Sequence, residues 1–153
     1  MELDRALKHL EDAKKTLRAG AFNFAVDGAD TAVEAAVRAL LAHTGTQTEP
    51  DAGLFDMLKA LEKNGYAICE KRAVLRLRDQ KNRIKHRGED ASRADAQNAL
   101  SVAGSFISEV RRQIATRPEP PPLFERPVEA ERRVPKPAPS LEPTPSPAES
   151  ADL

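Results

Sequence analysis

The stretch Ala21-Phe-Asn-Phe-Ala-Val-Asp-Gly-Ala-Asp-Thr-Ala-Val-Glu-Ala-Ala-Val-Arg-Ala-Leu-Leu-Ala-His-Thr-Gly45 decides the fold of this chain. Phe22, Val26, Ala29, Val33, Ala36/Val37 and Leu40 recur three and four residues apart, as on the buried face of an amphipathic helix. A second row of small side chains, Ala25, Ala32 and Ala39, runs beside them. Small side chains let a neighbouring helix come close. A helix from about Phe22 to His43 is therefore expected at the centre of the molecule, ended by Gly45. The polar residues Thr44 to Pro50 read as a loop.

Working outward, the preceding segment carries Leu3, Ala6/Leu7, Leu10, Ala13 and Leu17 on one stripe, a helix from about Glu2 to Arg18 stopped by Gly20. A short helix from about Gly53 to Lys63 turns Leu54, Met57/Leu58 and Leu61 inward and ends at Asn64-Gly65. A fourth, from about Ile68 to Arg87, has Ala73/Val74, Leu77 and Ile84 on its core side and stops at Gly88. The fifth has the clearest start. Ser92 followed three residues later by Asp95 is a capping box with Asp in the place of Glu. Ala96, Leu100, Ala103, Ile107, Val110 and Ile114 then recur in a heptad-like run, suited to a core face or a dimer seam.

Composition agrees with helices. Aromatic residues make up 4% of the chain and Trp is absent, where a β-sandwich would carry more β-branched and aromatic side chains. Every proline but Pro50 lies in residues 118–153. The expectation is an all-α, antiparallel bundle of four to five helices over residues 1–117, with a proline-rich flexible tail over residues 118–153 that is disordered or polyproline-like when free. Leu123, Phe124 and Val128 are apolar exceptions in that tail that can anchor on a partner or on the domain itself, with Leu123 and Phe124 the candidates for binding a protein partner.

Formal net charge is zero, so the whole-molecule field favours no class of partner. Cys69 is alone, which excludes an internal disulfide framework and suits a reducing compartment. One Cys and three His give no metal-ligand cluster, and no cofactor is expected. The sequence has no apolar run of membrane-spanning length and its first residues lack a signal-peptide pattern, so a cytoplasmic protein without membrane partners is expected.

The charge distribution is uneven. Lys71, Arg72, Arg76, Arg78, Lys81, Arg83, Lys85 and Arg87 crowd one helix, with Asp79 the sole acid among them. Arg78, Lys81/Asn82 and Lys85 fall on one stripe at about 100° per residue. Asn82 and His86 are four apart and share a face. Lys81 and His86 are five apart and flank rather than touch. A histidine can take or give a proton, and a cation can stabilise charge on a phosphate oxygen. Asn82 can orient either. Those parts suffice to cleave RNA through attack of its 2′-hydroxyl on the adjacent phosphate. The plainer reading of the same residues is a solvated basic face, with His86 at the helix end facing the C-terminal dipole. His43 and His9 are weaker candidates, and Glu34 is expected to be an exposed helix charge, with a buried acid facing the basic helix as the alternative.

The Ala21–Gly45 segment and Lys81-Asn82-Arg83-Ile84-Lys85-His86 together resemble the HEPN superfamily, the higher-eukaryote and prokaryote nucleotide-binding domains. The second segment is similar to that family's Arg-polar-three-residues-His signature, with Lys81 in the arginine position. The resemblance covers about residues 1–116 and implies a helical bundle that dimerises, bringing two copies of the motif into one cleft. It implies either a metal-independent endoribonuclease in a bacterial defence or toxin–antitoxin system, or a non-catalytic binding relative. On that basis His86, Lys81 and Asn82 are the expected catalytic residues, and Arg78, Arg83, Lys85 and Arg87 are expected to contact RNA. The other class of function is a helical adaptor that binds a protein partner through its bundle or through residues 118–153.

Overall fold

The computed structural model describes residues 2–116. Over them the chain forms five α-helices and no strand: α1 (Glu2–Arg18), α2 (Phe22–Thr44), α3 (Leu54–Lys63), α4 (Lys71–Arg87) and α5 (Arg93–Thr116). They make an antiparallel bundle in which α2 packs against each of the other four. The expected stripe and the row of alanines on α2 are both buried, apart from half-buried Phe22. A helix apolar over so wide an arc can be enclosed on several sides.

α1 lies against α2 with very little room. A Cβ built on Gly28 would sit 2.9 Å from the Ala13 Cβ. The Ala13 methyl is fixed to its backbone and cannot swing aside. Gly28→Ala should gain about 0.5–1 kcal/mol of helix propensity, but overpacking should cost about 1–3 kcal/mol. We expect the clash to win and the variant to unfold at lower denaturant. A higher midpoint in equilibrium urea unfolding would show that α1 can retreat at no cost.

α1 to α4 are each followed by a glycine with positive φ, Gly20, Gly45, Gly65 and Gly88. After α1, Gly20 N–H donates to the Leu17 carbonyl and Ala21 N–H to the Thr16 carbonyl, which satisfies carbonyls of the last turn and reverses the chain. α5 begins as its capping box predicts. Asp95 N–H donates to Ser92 Oγ at 3.0 Å, and Ser92 N–H donates to Asp95 Oδ2 at 2.9 Å. The backbone hydrogen bond from Ser92 holds the Asp95 carboxyl below its ordinary pKa.

Two expectations need correction. α4 begins at Lys71 rather than near Ile68. Ile68 is buried, but Cys69 and Glu70 donate their N–H groups to the Glu109 carboxylate at 2.8 and 3.3 Å. Glu109, only 5% exposed on α5, thus places a negative charge at the amino end of α4, where the helix dipole favours it. The apolar face of α5 is also wider than its heptad run. Phe106, the largest fully buried side chain, lies outside that run together with Ala99.

Candidate nucleic-acid interface

The basic helix α4 rests on α2 through Val74 and Leu77, which are buried, and Ile84, which is half-buried. The α2 face beneath it carries two carboxylates. Asp30 is 2% exposed, although it lies between apolar positions of the central stripe. Arg78 Nε donates to both Asp30 oxygens, at 2.9 and 3.0 Å, and Arg78 Nη2 donates to Glu34 Oε1 at 2.6 Å. The other Glu34 oxygen accepts from Arg38 Nε and Nη2 at 3.3 and 3.2 Å. Lys81 Nζ approaches Asp30 Oδ2 at 3.9 Å, and its side chain is 19% exposed. Glu34 is therefore half-buried and faces the basic helix, contrary to the expectation of an exposed charge.

Burial pushes the Asp30 carboxyl above its ordinary range, and the hydrogen bonds and positive charge of Arg78 and the charge of Lys81 offset only part of that. Burial acts on Glu34 in the same direction, but hydrogen bonds from Arg78 and Arg38 outweigh it and its pKa falls below the ordinary value. For Arg78, desolvation disfavours the cation, but its hydrogen bonds to Asp30 and Glu34 more than restore it, so it is held above the usual arginine value.

The residues singled out on α4 therefore sort by what each meets along the helix. Arg78 and Lys81 point toward α2 and its acids. Arg83 turns the other way and pairs with Asp79 and Glu89, the latter at 3.1 Å. Asn82, Lys85, His86 and Arg87 are exposed, and among the described residues none of the four side chains has a hydrogen bond or ion pair. Lys81 and His86 stand about 140° apart around α4 and are not in contact within one chain. Leu123 and Phe124, the expected anchors for a protein partner, lie outside the described residues.

Two clefts share Lys81 as a wall. One, of about 240 Å³, is lined by Asn23, Phe24, Asp27, Lys81, Ile84 and Lys85. The other, of about 300 Å³, contains Arg5, His9, Asp30, Thr31, Glu34 and Arg38 beside Lys81. His9 is half-buried and lines this second cleft beside the acids of α2. Among the described residues no group of three or more His, Cys, Asp or Glu side chains converges as a metal site requires, and no helix is long and apolar enough to cross a membrane.

Asp30 and Glu109 are the two residues that sequence reading missed. Both left a signal. Asp30 is four residues after Val26 and three before Val33, squarely on an apolar stripe, and Glu109 adjoins Val110 on another. A charge at such a position is costly unless a partner meets it, so it points to a buried pair or a cap.

No curated protein matches the sequence. The family model described as HEPN domain matches residues 2–113, which span α1 to α4 and most of α5. The chain therefore belongs to the HEPN domain family.

Proposed function

We propose that the carboxyl-terminal end of α4 binds RNA and that two such ends, paired in a homodimer, cleave it without a metal ion. The observation that carries this reading is the exposed, unpaired set Asn82, Lys85, His86 and Arg87 on one helix end. Unpaired cations are the ones available to release counterions on meeting phosphate. Lys81, held near Asp30, is the less available cation, and its distance around the helix from His86 is what a second copy would bridge.

In the reaction His86 accepts the proton of a ribose 2′-hydroxyl. The 2′-oxygen attacks the adjacent phosphorus, and the bond to the 5′-oxygen breaks. That oxygen leaves with a proton from the partner subunit's protonated imidazole. The products are a 2′,3′-cyclic phosphate and a 5′-hydroxyl. Lys81 offsets charge on the non-bridging oxygens, and Asn82 orients the phosphate. The setting that fits is cytoplasmic, in a bacterial defence or toxin–antitoxin system.

The test is incubation with single-stranded RNA in EDTA, beside an oligonucleotide of the same sequence with deoxyribose throughout. Cleavage is expected for the RNA alone, with cyclic-phosphate ends. Cleavage of both, or of neither, overturns the ribonuclease reading. In the second case, binding of RNA that weakens with salt would leave the helix end as a binding surface.

A further inference from the structure

Phe24 is 71% exposed on α2, beside the start of the bundle's central helix, and packing does not account for it. It lines the 240 Å³ cleft against α4, together with Ile84, Lys81 and Lys85. Asn23, its neighbour, is not free to move. Asn23 Nδ2 donates to Asp90 Oδ1 at 3.1 Å, and Asn23 Oδ1 accepts from Ala91 N–H at 2.7 Å. These bonds pin the first turn of α2 to the loop between α4 and α5, so the ring stands on a braced platform. An exposed aromatic face beside lysines is the combination that holds a nucleotide, with the base stacked on the ring and the phosphate on the cations.

From this juxtaposition we propose that the Phe24 cleft is a nucleobase subsite for single-stranded RNA. The base lies on the Phe24 ring with its edge toward Ile84, and the adjoining phosphate meets Lys85. Asp27 brings a carboxylate to the same cleft. It repels phosphate toward the Lys85 side and offers an acceptor to an exocyclic amino group of the base. The subsite rests on the RNA-binding reading given above, and it adds to it. α4 supplies charge, which is indifferent to base stacking, whereas Phe24 requires an unpaired base and so selects single strands over duplex.

The test is fluorescence anisotropy with the full chain and a single-stranded RNA of about 12 nucleotides. All proteins carry His86→Ala so that the RNA stays intact. Phe24→Ala should weaken binding about tenfold with the slope of affinity against salt unchanged, since stacking releases no counterions. Phe24→Trp should restore the affinity. Lys85→Ala should instead reduce the salt slope by about one. Duplex RNA should be insensitive to Phe24→Ala.

If the parent protein binds no RNA at low salt, the subsite and the RNA reading fall together. If it binds and Lys85→Ala weakens it while Phe24→Ala does not, the subsite alone is overturned. The subsite is equally overturned if Phe24→Ala dissociates a dimer in sedimentation without altering affinity per protomer, which would assign the ring to a contact between copies. Phe24 is exposed, so none of these variants should compromise folding.

Discussion

Replacing Arg78 with Met should destabilise the bundle by about 3 kcal/mol, because it strands a buried carboxylate. Asp30 would keep only Lys81, 3.9 Å away, and Glu34 would lose the Arg78 hydrogen bond at 2.6 Å. Breaking one side of a buried pair costs about 3–5 kcal/mol. The lower end applies here. Arg78 is partly exposed, and burial has already raised the Asp30 pKa, so the stranded acid can take up a proton instead of staying charged. The double variant Asp30→Leu/Arg78→Met should recover most of the loss, since an apolar pair of similar volume needs no desolvation of charge.

Equilibrium urea unfolding of the two single variants and the double variant closes the cycle. A loss under about 1 kcal/mol for Arg78→Met, or an additive double variant, would show that the pair is not coupled. The network also bears on function. It ties α4 to α2 through Arg78 and Lys81. On the proposed RNA-binding reading, Arg78→Met should therefore lower RNA affinity even at temperatures where the variant is folded, while Arg87→Met should weaken it by no more than one phosphate contact and leave the fold intact.

The second large effect concerns activity alone. His86→Ala should lower the rate of RNA cleavage about 10²–10⁴-fold, the range that general acid–base catalysis supplies. It should leave stability within about 0.5 kcal/mol, because His86 is exposed and touches no described partner. The ratio of the two effects is what distinguishes a working imidazole from a helix-end residue interacting with the dipole, which would move stability and leave the rate alone. Mixing His86→Ala with Lys81→Ala protomers adds a further discrimination. The step draws an imidazole from each copy, so a mixed dimer lacks one of the two and should recover no activity; recovery would show that a single His86 serves as both base and acid. Equal cleavage by His86→Ala and the parent protein would remove His86 from the chemistry.

Much of this architecture was legible along the chain. The five helices, their glycine stops and the capping box of α5 are local events. Each depends on residues within one or two turns, and periodicity of three to four reports them directly. The wide apolar face of α2 announced a central helix for the same reason. The start of α4 was misplaced because it is set by Glu109, some forty residues away in sequence, and no local pattern around Ile68 carries that information.

The candidate site divides along the same line. From residue order alone it follows that α4 is basic, that it ends in His86 before Gly88, and that Asn82 and His86 share a face while Lys81 stands apart. Which of these cations are free is set by the packing of the helices. Arg78, Lys81 and Arg83 look equivalent in the sequence to Lys85 and Arg87, and they are not. The packing of α4 on α2 turns Arg78 and Lys81 onto Asp30 and Glu34, 44 to 51 residues earlier in the chain, and leaves Lys85 and Arg87 unpaired in solvent. The physical reason is that helical period follows from backbone geometry, which neighbours in sequence dictate, whereas the pairing of a charge depends on what a remote surface presents when the two helices meet.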